Sequence, residues 1–269
     1  MNTQYGKGTA LITGGCSGIG AIYADRLAKA GFDLILVGRN EEHLRAKATK
    51  LTNDTKRSIE FVSADLTKPH DLARVEAVLK NDASITMLVN NVSMGATTPL
   101  LASDINKMEK MIALNVNVPT RLAYAVVPNF VARGTGTIIN ISSCVAIMPE
   151  KLNGVYGGTK AYVLALSHSL HHELAGQGIH VQAVLPGVTA TQFYDTTGTP
   201  VKSLPEDIVM SAEEMVDAAL AGLAQGELVT IPSLPDKADW DAFENARKQL
   251  APNLSHSHPA ARYGVGKAA

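Results

Sequence analysis

Tyr156 and Lys160 stand four residues apart in the stretch Tyr156-Gly157-Gly158-Thr159-Lys160. On a helix this spacing puts both side chains on one face. A free phenol titrates near ~10 and is a poor acid or base at neutral pH. An ammonium group beside it favours the phenolate, so the pair can move a proton near pH ~7. Tyr-x-x-x-Lys is also what chance places on a surface helix, and the elements around it must decide.

Residues 9–12 read as a short buried strand, followed by Thr13-Gly14-Gly15-Cys16-Ser17-Gly18-Ile19-Gly20 and then a helical pattern carried by Ile22, Leu27 and Ala28. Glycines let the backbone approach a diphosphate closely, and a helix N-terminus adds N–H donors and a positive dipole end. The second strand, residues 32–37, ends at Gly38-Arg39-Asn40. An acidic residue there would hold the ribose 2′-hydroxyl of NAD. Here a glycine leaves room and Arg39 offers a forked cation for a 2′-phosphate, so NADP(H) is expected over NAD(H). A third strand, residues 58–62, leads to Asp65-Leu66, whose carboxylate suits the adenine amino group.

Helices are expected over residues 41–51 and 71–79, and a fourth strand over 85–89, closing at Asn90-Asn91. A helical pattern over 105–132 contains Asn115 and should be kinked or broken by Pro119 and Pro128. Residues 137–141 form a fifth strand ending at Ser142-Ser143, the Tyr156 helix runs to about residue 175, and strand 181–185 closes at Pro186-Gly187. The polar segment over about 189–210, carrying Phe193 and Tyr194, has the length of a lid. Ser211-Ala212-Glu213-Glu214 is a capping box opening a helix to residue 224, and residues 228–231 read as a last strand. A terminal helix near 240–250 and a loose tail complete a C-terminal segment over about 236–269.

Strand and helix alternate throughout, which implies an α/β fold with a doubly wound parallel sheet, a Rossmann fold, in a single domain spanning 1–269. Ligands on such sheets bind at the carboxyl ends of the strands, where Gly14, Arg39, Asp65, Asn91, Ser143 and Pro186 all lie. The chain is 46% apolar and carries a net charge of −1, which leaves no electrostatic footprint for nucleic acid. No apolar run approaches the ~20 residues that span a bilayer, and residues 1–8 lack a signal-peptide pattern. With only Cys16 and Cys144, no disulfide framework is expected, and the default is a cytoplasmic protein without membrane partners.

Together these motifs resemble the short-chain dehydrogenase/reductase family over about residues 8–193, with the strand near 228–231 as a continuation. The loop fits Thr-Gly-x-x-x-Gly-x-Gly, Asn90-Asn91-Val92-Ser93 stands where the family has Asn-Asn-Ala-Gly, and Ser143 precedes Tyr156 by the usual 13 residues (156 − 143 = 13). Pro186-Gly187 with Thr191 fits the segment that contacts the nicotinamide. The resemblance implies that Tyr156 is the acid/base, that Lys160 holds the nicotinamide ribose and depresses the tyrosine pKa, and that Ser143 positions the substrate oxygen. It implies that Asn115 holds a water linking Lys160 to solvent. Cofactor contacts are implied for Thr13, Gly14, Ser17, Gly18, Ile19 and Gly20 of the loop, and for Arg39, Asp65, Leu66 and Asn91 at the strand ends. Tyr156 and Lys160, with Pro186, Gly187, Val188, Thr189 and Thr191, complete the set.

Ser142 is the rival of Ser143, but strand alternation turns its side chain to the other face. Val92-Ser93 adds bulk beside the adenosine pocket, and the glycine loop has no basic residue, so the NADP preference rests on Arg39. The chain lacks the family's Gly-rich ending, so a homodimer is expected as readily as a homotetramer. His168 and His172 have a zinc-compatible spacing but no third ligand, so no metal is expected, and Cys144 reads as a small buried hydrophobe. The favoured function is hydride transfer between NADP(H) and a small-molecule substrate with a carbonyl or secondary alcohol group. The alternative is a non-catalytic cofactor-binding sensor or scaffold, which would be expected to lose Tyr156, Lys160 or Ser143. Nothing in the sequence names the substrate.

Overall fold

The computed structural model describes residues 8–197 and 200–265, which divide between Pro232 and Ser233 into two compact units. The first is built on strands β1 (Thr9–Thr13), β2 (Asp33–Gly38), β3 (Ile59–Ser63), β4 (Ile85–Asn90), β5 (Gly136–Ile141) and β6 (Ile179–Val184). Between them run helices α1 (Gly18–Lys29), α2 (Glu41–Thr55), α3 (Pro69–Asn81), α4 (Ile105–Ile112), α5 (Val118–Arg133) and α6 (Gly154–Leu174). Short strands β7 (Thr189–Ala190) and β8 (Met210–Ser211), helix α7 (Ala212–Ala224) and strand β9 (Val229–Thr230) complete the unit.

The main sheet has seven strands, all parallel, in the order β3-β2-β1-β4-β5-β6-β9. Its inner strands β1, β2, β4, β5 and β6 are largely buried runs rich in Leu, Ile and Val, as expected of a sheet covered on both faces, whereas the edge strand β3 has no fully buried residue. Tyr23, Leu27, Leu44, Leu51, Met215 and Val216 cover one face from α1, α2 and α7. Leu72, Val75, Leu122, Phe130, Leu170 and Leu174 cover the other from α3, α5 and α6. The winding reverses between β1 and β4, so a crevice opens where the glycine loop leaves β1.

Three local devices aim the site. Asn153 caps α6, its Oδ1 accepting from the N–H of Val155 (2.9 Å) and Tyr156 (3.2 Å). The helical pattern over 105–132 is broken by a π turn at Ala113–Asn117, centred on Asn115, so the interruption precedes Pro119 while Pro128 lies inside α5. Pro119 has no N–H to offer the carbonyl four residues back, which places the break at Asn115. Third, the segment expected as a lid is closed at its base by the parallel β7–β8 pair and carries 3₁₀ turns at Gln192–Thr196, Val201–Ser203 and Glu206–Ile208. Gly198 and Thr199 of that segment lie outside the described residues.

The capping box at α7 forms as read, with the Glu214 N–H donating to Ser211 Oγ at 3.1 Å. The second unit holds helix α8 (Lys237–Gln249), capped by Asp236, with Trp240 stacked on Phe243, followed by exposed turns. Of the expected tail, residues 266–269 lie outside the described residues.

Candidate active site

Tyr156 and Lys160 lie one turn apart on α6, and both are buried. Lys160 Nζ donates to the Ile141 carbonyl at the end of β5 (3.0 Å) and lies 5.8 Å from the centre of the Tyr156 ring. Ser142 donates to the Lys160 carbonyl at 2.8 Å, so it locks β5 to α6 and is turned away from the phenol. Ser143 hydrogen-bonds the Tyr156 side chain and accepts from the Val145 N–H. Burial holds the Tyr156 phenol well above its ordinary value, and the Ser143 hydrogen bond only partly opposes it. Burial likewise pushes the Lys160 ammonium down to about 7. The expectation that Lys160 draws the phenol towards phenolate therefore meets a different balance. Desolvation sets the balance, and Tyr156 stands as a protonated acid.

A continuous cavity of about 1120 Å³ runs from Gly14, Arg39 and Asp65 to Tyr156 and Phe193. That exceeds the several hundred Å³ of an ordinary ligand site and gives room for a cofactor and a substrate together. At its first end, Ser17 caps α1 without a side-chain bond to the helix, and the first turn carries no acidic residue. The amide donors of that turn are thus left to an outside anion. Gly14 and Gly18 take left-handed conformations in the loop (φ 69° and 49°), which favour glycine. Arg39 is exposed on the cavity lining, its guanidinium without an ion pair or hydrogen bond among the described residues, and no acidic residue stands at the end of β2. Burial raises the Asp65 carboxyl, but hydrogen bonds from Thr67 and the charges of Arg39 and Lys68 hold it below the usual range. One of its oxygens, Oδ1, is committed to Thr67. This donor set fits a dinucleotide: amides for a diphosphate, a free cation beyond it, a carboxylate at the far wall.

Most of the residues expected at a cofactor line this cavity: Gly14, Ser17, Gly18, Ile19, Leu66 and Asn91, and the stretch from Pro186 to Thr189 with Thr191. Thr13 and Gly20 do not, nor does Asn115, which is expected to hold a water beside Lys160; each supports the lining from behind. Thr13 Oγ1 accepts from the Asn91 and Val92 amides (3.0 and 3.1 Å), tying β1 to the end of β4. A Cβ at Gly20 would come 2.2 Å from the Gly14 carbonyl oxygen, so glycine lets α1 close on its own loop. Asn115 donates to the Met94 carbonyl and Thr159 Oγ1 and accepts from the Met94 amide. Asn115, Lys160, Thr13 and Asn90 line a separate cavity of about 10 Å³, roughly the space one water needs. Asn90 Oδ1 is buried without a hydrogen-bond partner among the described residues.

The sequence reading missed Asn153, although an Asn just ahead of a helix is a recognisable cap. It also missed His43, which lines the cavity, and the apolar lining, in which Met94, Ala96 and Val145 pack with Tyr156 and Leu152, Leu204 and Ile208 also take part. No spacing rule links those wall positions. Among the described residues, no group of three or more His, Cys, Asp or Glu side chains could hold a metal ion, and no helix is long and apolar enough to cross a membrane.

A family profile described as short chain dehydrogenase matches residues 8–201. The chain belongs to the short-chain dehydrogenase/reductase family. Among family members of known structure, a short-chain dehydrogenase from Sphingobium yanoikuyae in complex with NADPH superposes with a TM-score of 0.92 at 46% identity, covering 95% of this chain and 99% of that one. The bulky-bulky ketone specific alcohol dehydrogenase from Comamonas testosteroni gives 0.88 at 42% identity, covering 95% and 98%. Hydroxysteroid dehydrogenase-like protein 1 from Gallus gallus is 32% identical over 222 residues, covering 82% of this chain, which spans 66% of that relative's length. As a member of this family, the protein is a nicotinamide-dependent oxidoreductase acting between a carbonyl and a hydroxyl group, and nothing favours the non-catalytic alternative.

Proposed function

We propose that this protein is an NADPH-dependent reductase of bulky, apolar ketones. The observation that carries the reading is one cavity joining Arg39, which makes no ion pair among the described residues, to a protonated Tyr156 beside apolar side chains. The NADPH complex of the Sphingobium relative and the bulky-ketone specificity of the Comamonas relative support it. The amides of the glycine loop and α1 would hold the diphosphate, Arg39 the 2′-phosphate, and Asp65 the adenine. Asn91 and the segment from Pro186 to Thr191 would orient the nicotinamide half, which when bound supplies the hydride.

Ser143 and Tyr156 both address the substrate oxygen. Ser143 steadies it as negative charge develops, and Tyr156 donates its proton as the carbonyl carbon receives hydride, leaving a secondary alcohol. Lys160 holds the nicotinamide ribose and returns a proton towards Tyr156. The small cavity shared by Lys160, Asn115 and the unpartnered Asn90 oxygen suits one water of that return path. We take residues 1–269 to work as one functional domain, with 189–210 as its lid. A cytoplasmic location and a homodimer or homotetramer belong to the same proposal. Exposed Ile105 and Ile112 on α4 and Tyr124 on α5 favour assembly, which light scattering on the eluting protein would measure.

The test is NADPH oxidation against aryl and branched ketones, diketones, β-ketoesters and aldehydes, with Tyr156→Phe as control. Turnover of bulky ketones is expected, reduced about 10²–10⁴-fold in the variant. NADPH binding without turnover of any ketone would overturn the reading.

A further inference from the structure

Phe193 sits inside the lid segment, in the 3₁₀ turn Gln192–Thr196, and lines the cavity beside Tyr156. Its ring centre is 6.0 Å from that of Tyr156, tilted by 44°, and 5.6 Å from that of Tyr194, nearly edge-on. Both distances fall in the range of direct aromatic contact. The third side of the ring rests on the backbone at Gly95. A Cβ built there would lie 2.1 Å from Phe193 Cζ, 2.7 Å from Cε1 and 2.9 Å from Cε2. Gly95 is absent from the glycines with positive φ, so its backbone conformation is open to any residue. What a side chain at 95 would meet first is therefore the ring. Nearby, Thr97 ties the lid down, its N–H and Oγ1 donating to the Thr197 carbonyl at 3.3 and 2.7 Å.

We propose that Gly95 is a specificity-determining residue: its missing side chain seats Phe193 as the roof over Tyr156, and this contact sets which ketones are held for reduction. The inference rests on the ketone-reductase reading above and adds a residue that touches neither substrate nor cofactor. The atom met first by a new Cβ is the tip of the ring. The ring is already flanked by Tyr156 and Tyr194, so it must swing off its seat and carry the turn with it. A bulky aryl ketone then loses the aromatic face it stacks on. A small dialkyl ketone, which does not reach Phe193, loses little.

A double-mutant cycle of Gly95→Ala and Phe193→Ala tests this in two readouts. The first is kcat/KM for an aryl ketone and for a small dialkyl ketone. Gly95→Ala is expected to lower the bulky-to-small ratio about tenfold, and to change it less than about twofold when Phe193 is already alanine. The dissociation constant for NADPH should stay constant across the cycle. The second is Tm without substrate, in which Gly95→Ala destabilises the wild-type background and leaves the Phe193→Ala background unchanged. Equal effects in both backgrounds would overturn the proposal, as would a uniform loss on both ketones. Wild type that reduces no ketone overturns the functional reading instead, and the thermal cycle still decides the Gly95–Phe193 contact.

Discussion

Lys160 is only 2% exposed, and its ammonium donates to the Ile141 carbonyl. A cation there gives up more hydration than one carbonyl returns, and its pKa falls from 10.5 to about 7. The unfolded chain keeps its proton on this lysine up to about pH 10.4. Between those values the unfolded state binds more protons than the folded one, so folding gains stability as pH rises through the window, and the gain is absent below it. The Tyr156 phenol, raised by burial, acts in the opposite sense only above pH ~10 and leaves the interval clear. Lys160→Met should remove the dependence. We expect Tm of the wild type to rise relative to the variant between pH ~7 and pH ~9.5, at up to about 1.4 kcal/mol per pH unit. Calorimetric scans at several pH values check it, and a constant difference would mean that the ammonium is not the group being desolvated. The same titration has a mechanistic side. A lysine that exchanges its proton near neutrality can return one to Tyr156 after each turnover, which a fixed cation at the free value would not.

At the scale of elements, the end of α1 shows how stability is set aside for binding. Ser17 occupies the N-cap position without using its side chain as a cap, and no carboxylate complements the dipole in the first turn. Ser17→Asp would supply both. We expect the variant to be more heat-stable, by about 0.5–1 kcal/mol, and to bind NADPH at least about tenfold more weakly because like charge meets the diphosphate. Tm and the dissociation constant, measured on the same preparation, should thus move in opposite functional directions. Parallel loss of both would show that Ser17 is needed for the loop itself. The glycine loop was readable because strand, turn and helix are contiguous, and each glycine answers a local demand. The Asn115 break was half readable: the missing N–H of Pro119 points to the Asn115 carbonyl, but nothing in the sequence says that the helix widens there into a π turn. The lid's 3₁₀ turns and the Leu152, Leu204 and Ile208 wall were not readable. Those residues meet only through the tertiary fold, and no periodicity joins them. The motif places Thr13 at the cofactor, and the structure shows its hydroxyl accepting from the amides at the end of β4.

Across the whole molecule, the proposed site is laid out along the carboxyl-terminal edge of one parallel sheet, to which α6 brings Tyr156 and Lys160. The order β3-β2-β1-β4-β5-β6-β9 brings the ends of β2, β1, β4 and β5 side by side, so Arg39, Gly14, Asn91 and Ser143 fall in a row although about a hundred residues separate the first from the last. A dinucleotide lying along that row would touch units that are distant in sequence, and its binding energy would be shared by all of them. Ligand that binds only the folded chain stabilises it by RT ln(1 + [L]/Kd), about 2.7 kcal/mol at a hundredfold excess over Kd. For a domain of this size that corresponds to a rise in Tm of about 5 °C or more. NADPH should produce this rise, and NADH at the same concentration a smaller one, because in the proposed complex only NADPH would engage Arg39. Arg39→Asp should reverse the order, since its carboxylate repels the 2′-phosphate and accepts from a 2′-hydroxyl. A thermal-shift comparison of both cofactors on both proteins reads the four values directly. If the NADPH advantage persists in Arg39→Asp, the phosphate is held elsewhere in the row, and His43, which lines the same end of the cavity, becomes the residue to change next.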